Sequence, residues 1–187
     1  MAIAAIIRWR KEDWARVTII TSKDAFLRSA SVDVHWGHWG RVVYLDADKH
    51  TFARESIRAM EELATTDIYA GTDDDALIYG PDFSIRGLRL MKEHPEYGIV
   101  CAHPTNEDFK SSVVQPEIVK SHAVGGPGFA RKGILTDFPE LSNAAYAGHM
   151  HKQCLDKGFD QGYFRDLAYL HMGSKYSVAS PVHCNGY

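Results

Sequence analysis

Three consecutive aspartates, Asp73, Asp74 and Asp75, stand between Ile68-Tyr69-Ala70-Gly71 and Ala76-Leu77-Ile78. Like charges at adjacent positions repel, so such a run is either fully solvated or neutralised by a cation. The β-branched and aromatic residues before it read as a short strand, and Gly80-Pro81 reads as a turn that opens the next helix. Acids wedged between two segments of buried character differ from an ordinary surface loop. A strand that delivers acids at its C-terminal end does so where open α/β sheets hold their ligands. Carboxylate oxygens suit a hard divalent ion such as magnesium or manganese. A solvated acidic turn is the alternative that these residues alone leave open.

The rest of the chain is organised in the same manner. Val17-Thr18-Ile19-Ile20-Thr21 has strand character and is ended by Ser22-Lys23-Asp24. Ala25 to Ala30 reads as a weak helix, and Arg41-Val42-Val43-Tyr44-Leu45 as a strand leading to Asp46 and Asp48. Tyr97 to Ala102 is a further apolar strand. Runs that are apolar throughout fit the buried middle of a parallel sheet. Helical spacing recurs at Ala53, Ile57, Met60 and Ala64 between Thr51 and Ala64, and from Asp82 to His94, where Pro95 stops it. A helix is also predicted around Ala144 to Lys157, and another after Gly158-Phe159-Asp160-Gln161, with Tyr163, Leu167 and Leu170 on one side. His103 to Ser112 reads as a long polar loop of the kind that serves as a lid. Gly125, Gly126 and Gly128 allow a close backbone approach or a tight turn. Strands alternating with helices predict an α/β layered fold with a mostly parallel central sheet flanked by helices. A length of 187 residues fits a single domain over 1–187.

Composition narrows the partners. With 21 basic and 24 acidic residues the net charge is -3, and no basic block exceeds the Arg8, Arg10, Lys11 group. That charge pattern argues against a nucleic acid chain as partner. The run Ala2 to Ile7 is too short to span a bilayer and no basic segment precedes it, so a cytoplasmic protein without a membrane span is expected. Cys101, Cys154 and Cys184 are odd in number and lack CxxC spacing, which points to ordinary thiols.

In order, the landmarks are a strand ending in Asp46, a helix containing Ala53-Arg54, a strand ending in Asp73-Asp74-Asp75, then Gly158-Phe159-Asp160, Asp166 and Pro181-Val182-His183. This series resembles a GT-A fold glycosyltransferase of the family-two type, within the nucleotide-diphospho-sugar transferase superfamily. The likeness runs from Val17 to the C-terminus and omits the first sixteen residues. It implies a Rossmann-like domain and metal-dependent, inverting transfer of a sugar from a nucleotide-diphosphate donor, a UDP-sugar by expectation, to an acceptor hydroxyl. The acceptor class, whether glycan, protein or small molecule, is left unspecified.

The resemblance also implies roles. Asp73 and Asp75 take the two acidic positions of the Asp-x-Asp motif and hold Mn2+ or Mg2+, with His183 completing the shell; imidazole tilts the choice toward manganese. Asp73 and Asp74 also reach the ribose or metal-bound waters. Asp166 is the base that removes the acceptor proton, with Asp160 in reserve, although Arg165 stands where the family carries glutamate. Thr21, Asp46, Arg54 and Gly126 would contact the donor. Taken without the resemblance, Asp160 is a helix N-cap, Asp166 and Arg54 are solvated helix positions, and His183 is structural. The chain ends four residues after His183, so either the catalytic domain is minimal or another chain, as in a homo-oligomer, finishes the acceptor pocket. Two rivals stand beside this expectation. A sugar-phosphate nucleotidyltransferase would need a glycine-rich loop after the first strand, and Thr21-Ser22-Lys23-Asp24-Ala25 has no glycine. A non-catalytic nucleotide- or carbohydrate-binding module of the same fold is the other.

Overall fold

The apolar run at 97–102 is the centre of the molecule because its alternate residues are buried on opposite faces of one sheet. In the computed structural model, residues 18–22, 41–46, 52–72, 76–78, 82–104, 117–122, 124–141 and 143–171 are described. They form β1 (Thr18–Ser22), β2 (Arg41–Leu45), α1 (Phe52–Leu63), β3 (Ile68–Gly71), β4 (Ala76–Ile78), α2 (Phe83–Glu93), β5 (Tyr97–Pro104), β6 (Ile118–Lys120), β7 (Gly128–Arg131), α3 (Asn143–Asp156) and β8 (Asp160–His171).

The main sheet has the order β3-β7-β5-β8-β4, with β6 also paired to β8. Strands β5 and β8 are parallel, whereas β3 with β7, β7 with β5, β8 with β4 and β8 with β6 are antiparallel. Strands β1 and β2 form a separate parallel pair among the described residues. The fold is therefore α/β as expected, but its sheet is mixed and not mostly parallel. The reversed strands β4, β6 and β7 are only three or four residues long. Segments that short carry too little periodicity to be seen in a sequence.

Layering follows from the pleat. Val100 and Ala102 of β5 join Phe129, Phe164, Leu167 and Tyr169 in one apolar cluster, which Phe83, Leu90 and Met91 of α2 cover. Ile99 and Cys101 point the other way, to Val124, Ala130 and Cys154, with Ile57 of α1 and Met150 of α3 packed against them. Each fully buried Phe, Leu or Met contributes about 1.5–3 kcal/mol, so the buried face of α2 outweighs anything an eleven-residue helix could gain from propensity alone. Gly87 lies on that face, and a Cβ there would come within 2.2 Å of the Phe129 ring, so only glycine lets α2 sit this close.

Local signals explain the helix ends. His94 N–H donates to Leu90 O at the close of α2, one residue before Pro95. Helix α3 ends where Gly158 takes φ 78, with Gly158 N–H donating to Leu155 O and Phe159 N–H to Cys154 O. The predicted helix bearing Tyr163, Leu167 and Leu170 is instead the twelve-residue strand β8. Gly162 makes the strand possible, because a Cβ there would meet Val119 O of β6 at 2.5 Å. Between Ala102↔Phe164 and His103↔Ala168 the register of β8 on β5 jumps, leaving Arg165, Asp166 and Leu167 as an extra length of chain. No helix among the described residues is long and apolar enough to cross a membrane.

Candidate functional site

Strands β3, β5 and β8 point the same way, since β3 and β5 both run against β7 and β5 runs with β8. The acidic run leaves the C-terminal end of β3 at Gly71, and the chain re-enters the sheet at Ala76, opposite His171 near the end of β8. Both flanks therefore lie at the C-terminal edge of the co-directional strands, the edge where α/β sheets bind ligands. The anticipated burial after the run holds for Ala76 and Ile78. Asp73, Asp74, Asp75 and His183, proposed from sequence as metal and nucleotide ligands, lie outside the described residues. Among the described residues no group of three or more His, Cys, Asp or Glu side chains could hold a metal ion.

Register separates the two candidate bases. Asp160 is the first residue of β8 and pairs with Tyr97 at the start of β5. Its carboxylate meets Lys120 Nζ at 2.6 Å. Its expected role as a helix N-cap does not apply, because no helix follows it. Asp166 lies six residues further along β8, roughly 15–20 Å away at about 3.3 Å per residue. It sits on the irregular stretch where β8 changes partner from β6 to β4, at the edge that receives the acidic run. Bulges of this kind re-aim side chains and are frequent beside active sites.

Asp166 is half exposed and surrounded by positive charge. Arg165 donates from Nε to Oδ1 at 2.9 Å and from a terminal nitrogen to Oδ2 at 3.1 Å, while Arg86 of α2 lies 3.9 Å away. The Arg165 hydrogen bond chiefly, then the charges of Arg165, Arg86 and His103, hold the carboxyl below the usual range against a smaller effect of burial. The group is thus ionised at neutral pH, but its basicity is reduced by the same neighbours. Arg86 and His103 were not singled out from sequence. Arg86 is eighty residues upstream and reaches Asp166 only through packing; His103, at the end of an apolar strand, could have been found by the strand-end rule.

Gly126 has φ 85, and a Cβ on it would strike the Tyr169 ring at 2.5 Å, so the close approach it permits is already taken up by Tyr169. Its neighbour Pro127 accepts from Ala102 N–H, which fixes this turn to the C-terminal half of β5. Helix α1 runs against β3: Lys132, beside the first residue of β3, donates to Ala64 O, so Arg54 in the first turn lies toward the C-terminal edge of β3. Arg54 is largely buried between Glu55, at 2.7 Å, and Glu140, at 3.6 Å. Thr21 and Asp46 lie at the C-terminal ends of β1 and β2, and Asp46 is exposed. The structure thus brings Asp166, Gly126 and the flanks of the acidic run to one edge of the main sheet, and leaves Asp160 at the other. No protein-family model matches this chain, and no curated protein is similar to it.

Proposed function

We propose that this chain is a metal-dependent, inverting glycosyltransferase that moves a sugar from a nucleotide-diphosphate donor, by preference a UDP-sugar, to an acceptor hydroxyl. The observation that supports this reading best is the shared edge: the acidic run is delivered and received at the same end of the sheet that carries Asp166. Asp73, Asp75 and His183 are the residues proposed to hold Mn2+ or Mg2+. The ion would offset the charge that builds on a departing diphosphate. The chain's own part in proton transfer falls to Asp166, whose ionised carboxylate can accept the acceptor proton once the hydroxyl displaces one Arg165 hydrogen bond.

That clasp also favours a second reading. A carboxylate held by two arginines is a poor base, which suits a module that binds nucleotide or carbohydrate without turning it over. The two separate in one assay. With UDP-sugars and Mn2+, the transferase releases free UDP, slowly to water and faster with an acceptor, and chelation stops it. A binding module takes up nucleotide and releases none, and that result would remove the catalytic reading.

A further inference from the structure

His122, in the segment after β6, meets His151 in the middle of α3. Nδ1 of His122 lies 3.3 Å from Nε2 of His151, and the rings stand edge to face with centroids 5.2 Å apart. One facing nitrogen must donate and the other accept, so the contact needs at least one neutral imidazole. The remaining nitrogen of His151, Nδ1, is buried with no hydrogen-bond partner. A charged His151 would therefore carry a buried N–H with nowhere to donate.

The surroundings reinforce this preference. Burial foremost, then His122, hold the His151 pKa below the usual range; Asp160 of β8 opposes the shift and Lys120 of β6 adds to it. Lys120 is bound to Asp160, which blunts the one attraction that would favour an imidazolium. The segment that His122 begins runs through buried Val124 to Gly126 against Tyr169. Its far end is thus at the ligand-binding edge.

We propose that the His122–His151 contact is an acid-released latch that holds the segment from Ser121 to Pro127 on α3 and so fixes Gly126 at the sheet edge. Because the folded-state pKa of His151 lies below the unfolded value of about 6.5, the folded form binds fewer protons in this range. The stabilisation is complete above that value and is lost as the pH falls below it. With both rings charged, repulsion replaces the hydrogen bond and the segment loosens from its His122 end. The latch concerns chain opening and stands whether or not the protein transfers sugar.

Hydrogen exchange on the whole chain tests it, with rates corrected for intrinsic pH dependence, at pH 7.5 and 5.5. Wild-type peptides covering 121–127 and the middle of α3 should exchange several-fold faster at the lower pH, because the segment opens more often once the contact is released. His122→Gln should show a smaller pH response than the wild type, because the charged neighbour is gone while the burial of His151 remains. Equal wild-type exchange at both pH values, or the same response in His122→Gln, overturns the proposal. An NMR titration of the wild type alone is a second check. The His151 ring should protonate only below its ordinary range, and protonation at its ordinary pKa contradicts the latch.

Discussion

Asp166→Asn should lower turnover of a UDP-sugar by roughly 10²- to 10⁴-fold, the usual contribution of a positioned base and about 3–5 kcal/mol of barrier. The exchange of one oxygen for an amide keeps the shape and an acceptor for Arg165, but removes the lone pairs that take the proton. Stability should hardly change, since the Arg165–Asp166 and Arg86–Asp166 pairs are half exposed and such pairs contribute about 0–1 kcal/mol. Asp160→Asn is the matched control. Its side chain lies at the opposite end of β8, bound to Lys120, so turnover should stay within a few-fold of wild type. Steady-state kinetics on the two variants, with melting curves alongside, decides between the bases. Loss in Asp160→Asn with retention in Asp166→Asn would reverse the assignment.

Glu61→Ala should damage the fold through lost hydrogen bonds rather than lost packing. Glu61 is a buried side chain on α1; its carboxyl accepts from Tyr69 Oη of β3 at 2.8 Å and from Gly133 N–H in the turn after β7. One side chain thus ties helix, edge strand and turn together. Its removal leaves a phenol and an amide N–H without acceptors in a partly buried setting, at about 1–3 kcal/mol each. The expected loss is roughly 2–4 kcal/mol, which lowers the melting temperature of a chain this size by about 5–15 °C. Glu61→Gln keeps an acceptor oxygen and should cost less than half as much. Burial first, then Glu61 as hydrogen-bond partner, hold the Tyr69 hydroxyl far above its ordinary pKa. The phenol therefore remains a donor throughout the working range. Denaturant unfolding measures both variants, and a loss under about 1 kcal/mol in Glu61→Ala would show that the tie is dispensable.

What could be read in the sequence was what a local pattern carries. Strands β1, β2, β3 and β5 are continuous apolar or β-branched runs, α1 and α2 show 3.6-residue spacing, and Pro95 and Gly158 mark the ends of α2 and α3. Strand β8 was mistaken for a helix for a physical reason. The extra length at Arg165-Asp166-Leu167 breaks the alternation of the buried Phe164, Leu167 and Tyr169, while Tyr163, Leu167 and Leu170 fall four and three apart in sequence and imitate a helical period. Strands β6 and β7 were not read as strands because three or four residues hold no period, and with them went the mixed character of the sheet. The candidate site was legible only in part. Asp166 was named from order along the chain, but its separation from Asp160 is a property of the sheet, and Arg86 joins it only because α2 lies across β8.

The central claim is that the acidic strand end grips a divalent ion which anchors a diphosphate, and thermal shift with UDP tests it most directly. UDP at about a hundred times its dissociation constant should stabilise the wild-type chain by roughly 2.7 kcal/mol in the presence of Mn2+. The account predicts that the shift disappears on chelation and in Asp75→Ala. A shift of the same size without metal, or one that survives Asp75→Ala, would contradict it.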